Sequence, residues 1–252
     1  MSAAVLELDD VRVRYAGGTE AARGVSLTIG PGECVAVIGE SGCGKTTLAN
    51  TILQILPTGA VVTGRVSVGG TVLPVGGAAL KALRGRRAGY VAQDPYAVFD
   101  PLRSVGDRVR QAWRYHRLRP PKDVGDRVAA LGVADAAARL RDRPAAWSGG
   151  MLQRASIAAA TAHDPPLIVA DEPTSALDAD LADDALRTLR GTGSAILLIS
   201  HDLRLVARHA DRIAVMRDGE FVEHGTATRL LEAPAHAYTR TLLAATAPAV
   251  TP

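Results

Sequence analysis

Aromatic residues are nearly missing from this sequence: Phe, Trp and Tyr together make up 4% of 252 residues. With 47% hydrophobic residues, a core of ordinary size must be assembled from Val, Leu, Ile and Ala, a palette that suits helices packed on a buried parallel sheet. Lysine is as scarce: Lys45, Lys81 and Lys122 are the three, and the other basic residues are arginines. The net charge of +3 therefore reflects a preference for Arg rather than a basic face. The densest basic stretch, Arg84-Gly85-Arg86-Arg87, is too short for a nucleic-acid patch, so no nucleic-acid partner is expected. Cys34 falls in an apolar strand pattern and Cys43 in a glycine-rich loop, which argues against a disulfide and fits a reducing compartment. No apolar run approaches the roughly 18 residues that span a bilayer. The stretch after Met1 has neither the basic nor the apolar region of a secretory leader, so any membrane role is expected to come through a partner.

Present instead is a regular alternation of strand and helix signals. Val11–Tyr15 and Val25–Ile29 alternate apolar and polar residues, as half-buried strands do. Glu33-Cys34-Val35-Ala36-Val37-Ile38 is almost continuously apolar, as expected of a strand buried on both faces, and Lys45–Leu56 reads as a helix stopped by Pro57. Gly64–Leu73 reads as a hairpin with Gly69-Gly70 at its tip, and Tyr90–Ala92 as a short strand. From Asp94 to about Ala162 the pattern turns helical. Leu167–Ala170 and Ala195–Ile199 are two further buried-strand runs with a helix between them, and Ile213–Val222 closes as a late hairpin around Asp218-Gly219. The expected fold is α/β: a mostly parallel sheet flanked by helices, with an antiparallel β-subdomain and a helical subdomain. The expected organisation is one domain, with residues 1–93 and 163–252 as core and 94–162 as the helical subdomain.

The chemistry concentrates at strand ends. Gly39-Glu40-Ser41-Gly42-Cys43-Gly44-Lys45-Thr46 has the spacing of a phosphate-binding loop between a buried strand and a helix. Glycines let consecutive backbone N–H groups converge on phosphate oxygens, and the positive end of the following helix faces the same charge. Lys45 adds a point charge, the Thr46 hydroxyl can ligate Mg²⁺, and Thr47 continues the run into the helix. Asp171 ends the Leu167–Ala170 strand, where a carboxylate is costly unless it meets a cation or hydrogen bonds. Glu172, next in line, is suited to orient or deprotonate an attacking water. His201 follows the Ala195–Ile199 strand at the carboxyl edge, where ligands gather in open α/β sheets.

Together with Trp147-Ser148-Gly149-Gly150-Met151-Leu152-Gln153-Arg154, these residues identify a family resemblance. That stretch resembles the signature motif of ABC-transporter ATPases, and Gln93 in Gln-Asp-Pro, Ser175-Ala176-Leu177-Asp178, His201 and Tyr15 stand in the family's order across nearly the whole chain. The Gln93–Pro101 stretch and the tail His236-Ala237-Tyr238-Thr239-Arg240-Thr241-Leu242-Leu243 resemble the oligopeptide, dipeptide and nickel importer branch. Ser-Gly-Gly-Met-Leu-Gln-Arg looks closest to its nickel and metallophore members. Trp147, Phe99, Asp100 and Ala237 depart from the branch pattern, and the stretch from Asp178 to His201 is roughly 7 to 8 residues short.

The resemblance implies an ATP-binding and ATP-hydrolysing subunit that powers import of peptides, nickel or a metal chelate. An exporter ATPase and a soluble ATPase acting on nucleic acid are the alternatives. It implies ATP and Mg²⁺ as ligands, with Tyr15 stacking on adenine and Gly39 to Thr47 holding phosphate. Thr46, Asp171 and Gln93 would surround the metal, with Glu172, His201 and Gln93 in catalytic roles. Ser148, Gly149, Gly150 and Met151 would contact nucleotide held by a second, paralogous ATPase subunit. The remaining implied partners are transmembrane permease subunits and, indirectly, an extracytoplasmic solute-binding protein. The implied location is the cytoplasmic face of the inner membrane, as a peripheral subunit.

Overall fold

The computed structural model describes residues 3–74 and 76–246. The chain begins β1 (Leu6–Arg14), β2 (Glu20–Ile29), β3 (Cys34–Ile38), α1 (Lys45–Ile52), β4 (Val61–Val68) and β5 (Thr71–Leu73). Next come α2 (Gly77–Ala82), β6 (Ala88–Val91), α3 (Pro95–Val98), α4 (Val105–Tyr115), α5 (Val124–Ala129), α6 (Ala136–Arg139) and α7 (Gly149–Ala160). Then β7 (Leu167–Asp171), α8 (Ala179–Gly191), β8 (Ala195–Ile199) and α9 (Leu203–His209) lead into β9 (Arg212–Arg217), β10 (Glu220–Thr226), α10 (Ala227–Glu232) and α11 (Ala237–Thr246). Of the described residues, those within 1–74 and 196–252 form one compact unit and those within 75–195 the other.

The first unit is built on two sheets. In the antiparallel sheet, β1 lies between β2 and β4, with β5 beyond, and Leu6 pairs with Ile29 on one side and Val68 on the other. Leu6, Leu8, Val11 and Val13 of β1 are buried while their neighbours face water; at Val11 and Val13 this is the alternation read from the sequence, and the strand begins earlier, at Leu6. The β4–β5 hairpin turns at Gly69-Gly70 as expected. In the second sheet β3 runs parallel to both β8 and β9, and β10 returns antiparallel on β9. Every residue of β3 and β8 is buried, so covered faces explain why these runs lack polar alternation.

Helix α1 is shorter than the sequence predicts, stopping at Ile52 rather than Leu56. Gln54 takes a left-handed conformation (φ 52°). Its N–H donates to Thr51 O at 3.2 Å and the Ile55 N–H to Asn50 O at 2.9 Å, a pairing that satisfies the last carbonyls and ends the helix before Pro57 is reached.

The second unit contains the helical segment 94–162 entirely. Here β6 and β7 pair in parallel, Ala88 opposite Leu167 through Val91 opposite Ala170. Helix α4 buries Val105, Val109 and Trp113, and α7 buries a nearly continuous face from Leu152 to Ala158. Both cysteines belong to the first unit and are buried as thiols.

Candidate nucleotide site

The glycine-rich loop leaves the carboxyl end of β3 and turns directly into α1. Two of its glycines are dictated by close backbone approach. A Cβ on Gly39 would lie 2.2 Å from Met216 O, and one on Gly44, at φ 112°, would lie 2.1 Å from Ala21 O. Gly42 is different: at φ 83° a Cβ there would meet nothing within 4 Å. The loop is thus pinned at both ends and open in its middle. Gly44 is also the residue before α1, and no side chain caps that helix. By contrast, Ser104, Ser148, Asp178 and Asp202 cap α4, α7, α8 and α9 with their side chains. The first-turn N–H groups of α1 are therefore left for something other than a capping side chain, and an anion is what such a helix end binds best.

Lys45 Nζ donates to Gly39 O and to Glu40 O, both at 2.8 Å, so its charge rests against the loop it would serve. Cys43 is buried, and burial pushes its thiol up, against the pull of the neighbouring Lys45; it stays neutral in the loop. Tyr15, at the end of β1, shares a 2.9 Å hydrogen bond between its hydroxyl and Thr47 Oγ1, which ties the aromatic ring to α1. His201 is exposed just past β8, where Ser200 Oγ accepts the Asp202 N–H at 3.0 Å and shapes the turn.

The second unit carries the other sequence-predicted residues. Asp171 closes β7 with 2% exposure, and Glu172 follows at 8% with a left-handed φ of 48°. A glutamate held there stores about 1–3 kcal/mol of backbone strain, the kind of outlier that accumulates at functional sites. Tyr90 on β6 has its phenol pushed up to about 12, by burial first and by the negative charge of Asp171 second. A buried carboxylate whose charge is felt by its neighbours suits a hard divalent cation. Gln93 is exposed beyond β6, and its carbonyl accepts from Ser175 Oγ at 3.3 Å. Ser148 Oγ accepts the Met151 N–H at 3.3 Å, opening α7. A Cβ on Gly150 would press on Leu177 and Ala176 O at 3.1 and 3.2 Å, whereas Gly149 has room. Asp178 caps α8 through the Leu181 N–H.

The chain has relatives among known proteins. Residues 22–175 match the family model described as ABC transporter. The dipeptide transport ATP-binding protein DppD of Bacillus subtilis (strain 168) is 36% identical, over 91% of this chain and 72% of that protein. This chain belongs to the ABC transporter family. The oligopeptide transport ATP-binding protein OppD of Lactococcus lactis subsp. cremoris (strain SK11) is 35% identical over 95% of this chain and 75% of its own length. Among solved structures, a dimeric ATP-binding cassette in a post-hydrolysis state, bound to ADP and phosphate, superposes with a TM-score of 0.78. It is 26% identical, covering 88% of this chain and 98% of that one. The fold is the α/β one expected, and the chain is an ABC-type ATPase whose ligands are ATP and Mg²⁺.

Two residues of this ABC ATPase escaped the sequence reading. Gln153 is fully buried and donates through Nε2 to Ala92 O at 3.2 Å, linking α7 to the residue before Gln93. Arg154 donates to Gly132 O at 2.7 Å and to Gly150 O at 3.1 Å, bracing the start of α7. Polar residues this near a helix start look like a solvated face; the signal was their place directly after Ser-Gly-Gly-Met-Leu.

Proposed function

We propose that this chain is the ATP-hydrolysing subunit of an importer for peptides. The observation that carries the solute class is the likeness, over 91% and 95% of this chain, to proteins named for dipeptide and oligopeptide transport. The roles of individual residues follow from their chemistry. Backbone N–H groups from Ser41 to Thr47 would hold the phosphates, helped by the open start of α1. Lys45 would exchange its two carbonyl partners for phosphate oxygens, and Tyr15 would stack on the adenine. Thr46, Asp171 and Gln93 would hold Mg²⁺, which when bound neutralises phosphate charge.

Glu172 would take a proton from the water that attacks the γ-phosphorus, while the bond to the leaving ADP oxygen breaks. His201 would donate to a γ-phosphate oxygen as charge builds there. Ser148, Gly149, Gly150 and Met151 belong to a second reaction centre in this proposal: they would meet the γ-phosphate of ATP held by another subunit. That subunit is a paralogue, and the pair works beneath transmembrane permease subunits that receive solute from an extracytoplasmic binding protein. Among the described residues no helix is long and apolar enough to cross a membrane. The chain would act at the cytoplasmic face as a peripheral subunit.

The test is ATP turnover by the purified complex in lipid vesicles with its solute-binding protein. Stimulation by di- and oligopeptides supports the proposal. Stimulation by nickel or a metal chelate instead would replace the solute class while leaving the ATPase assignment intact.

A further inference from the structure

The last described helix reaches back to the phosphate loop. Tyr238, in the first turn of α11, is buried, and its hydroxyl accepts the Glu40 N–H at 3.1 Å. Glu40 N and Gly39 O belong to one peptide unit, and Gly39 O is the group that accepts from Lys45 Nζ at 2.8 Å. A single peptide is therefore gripped at both ends, by the phosphate-binding lysine on one side and by Tyr238 on the other.

The grip is itself well supported. Glu223 on β10 accepts the N–H groups of Ala235 and His236 at 2.8 and 3.0 Å, and His236 Nδ1 accepts the Tyr238 N–H at 3.1 Å. The Arg217 guanidinium lies 4.9 Å from the centre of the Tyr238 ring. Its neighbour Met216 supplies the carbonyl that crowds Gly39. One strand end, that of β9, thus backs both the loop and the ring that holds it. Gly39, at φ 156°, has no side chain of its own to anchor the peptide plane.

We infer that Tyr238 is a positioning residue for nucleotide binding, whose hydroxyl fixes the Gly39–Glu40 peptide and so pre-sets the loop and Lys45 for a nucleoside triphosphate. The inference rests on the phosphate-binding role proposed for this loop. A loop already set before the ligand arrives binds more tightly, because less ordering remains to be done on binding. Sequence pattern singled out the His236–Leu243 tail only as a mark of kinship; the hydrogen bond to Glu40 gives it work to do at the ATP site.

Tyr238→Phe in the full chain keeps the ring and its contact with Arg217 and removes only the acceptor. The dissociation constant for a fluorescent ATP analogue with Mg²⁺ is expected to rise about fivefold, as loss of one such hydrogen bond requires. The Glu40 amide should also exchange with solvent at least about tenfold faster in the nucleotide-free variant. A variant that melts earlier yet binds nucleotide within about twofold of the parent would make Tyr238 a packing residue only and overturn the inference. So would an unprotected Glu40 amide in the unmodified, nucleotide-free chain, a measurement that needs no variant. Failure of the unmodified chain to bind the analogue would instead remove the loop's proposed role.

Discussion

Alanine substitutions along the loop should separate its architecture from its ligand. Gly44→Ala places a Cβ 2.1 Å from Ala21 O, a main-chain atom of β2 that can yield only if the sheet moves. The backbone at φ 112° adds about 1–3 kcal/mol of strain for any residue with a side chain. Displacing a packed neighbour costs about another 1–3 kcal/mol. For a chain of this size such a loss lowers the melting temperature by on the order of 10 °C. Gly42→Ala carries the conformational cost alone, about 1–2 kcal/mol, since nothing lies within 4 Å of the new methyl. Its melting temperature should fall by only about 4 °C. Yet the methyl would stand in the open face of the loop, so its affinity for MgATP should drop at least about tenfold. Thermal scans with nucleotide titrations on both variants give the answer. Equal losses of stability, or a Gly42→Ala chain that binds ATP normally, would refute the distinction between pinned ends and an open middle.

Four other outcomes follow from the same structure. Glu172→Gln should retain ATP binding while hydrolysis falls at least about a hundredfold in single-turnover assays; near-normal turnover would remove Glu172 from its role. Lys45→Ala should abolish nucleotide binding by equilibrium titration, since the loop loses its one positively charged side chain. Ser148→Ala removes the cap of α7, worth about 1 kcal/mol, and should leave ATP binding by the single chain unchanged while hydrolysis by the assembled pair is lost. Tyr90 should ionise above the ordinary phenol range in an ultraviolet titration of the folded chain compared with its Tyr90→Phe variant. The unfolded chain releases that proton near pH 10.0 and the folded chain holds it to about 12, so across this window the unfolded state binds fewer protons and stability falls as pH rises.

Much of the fold was legible because its signals are local. The run Cys34–Ile38 is apolar at every position because both its faces are covered, and Gly39 and Gly44 after it mark backbone crowding that no other residue tolerates. The early end of α1 was not legible. Pro57 is a strong stop, but Gln54 in a left-handed turn ends the helix first, and nothing in glutamine's chemistry announces that. Contacts across large sequence separations were also hidden. Tyr238 meets Glu40 only because β9 and β10 carry the chain back to the loop, and Gln153 meets Ala92 only because α7 packs near the end of β6. The residue types needed for ATP chemistry could be read in order; the side chains that hold those residues in place could not.

That this chain burns ATP in the service of peptide import is tested most directly by peptide-dependent ATP hydrolysis by the intact complex in vesicles. The prediction is turnover that rises when peptide-loaded binding protein is added and that disappears when this subunit carries Glu172→Gln. Turnover indifferent to peptide, or undiminished by that substitution, would contradict it.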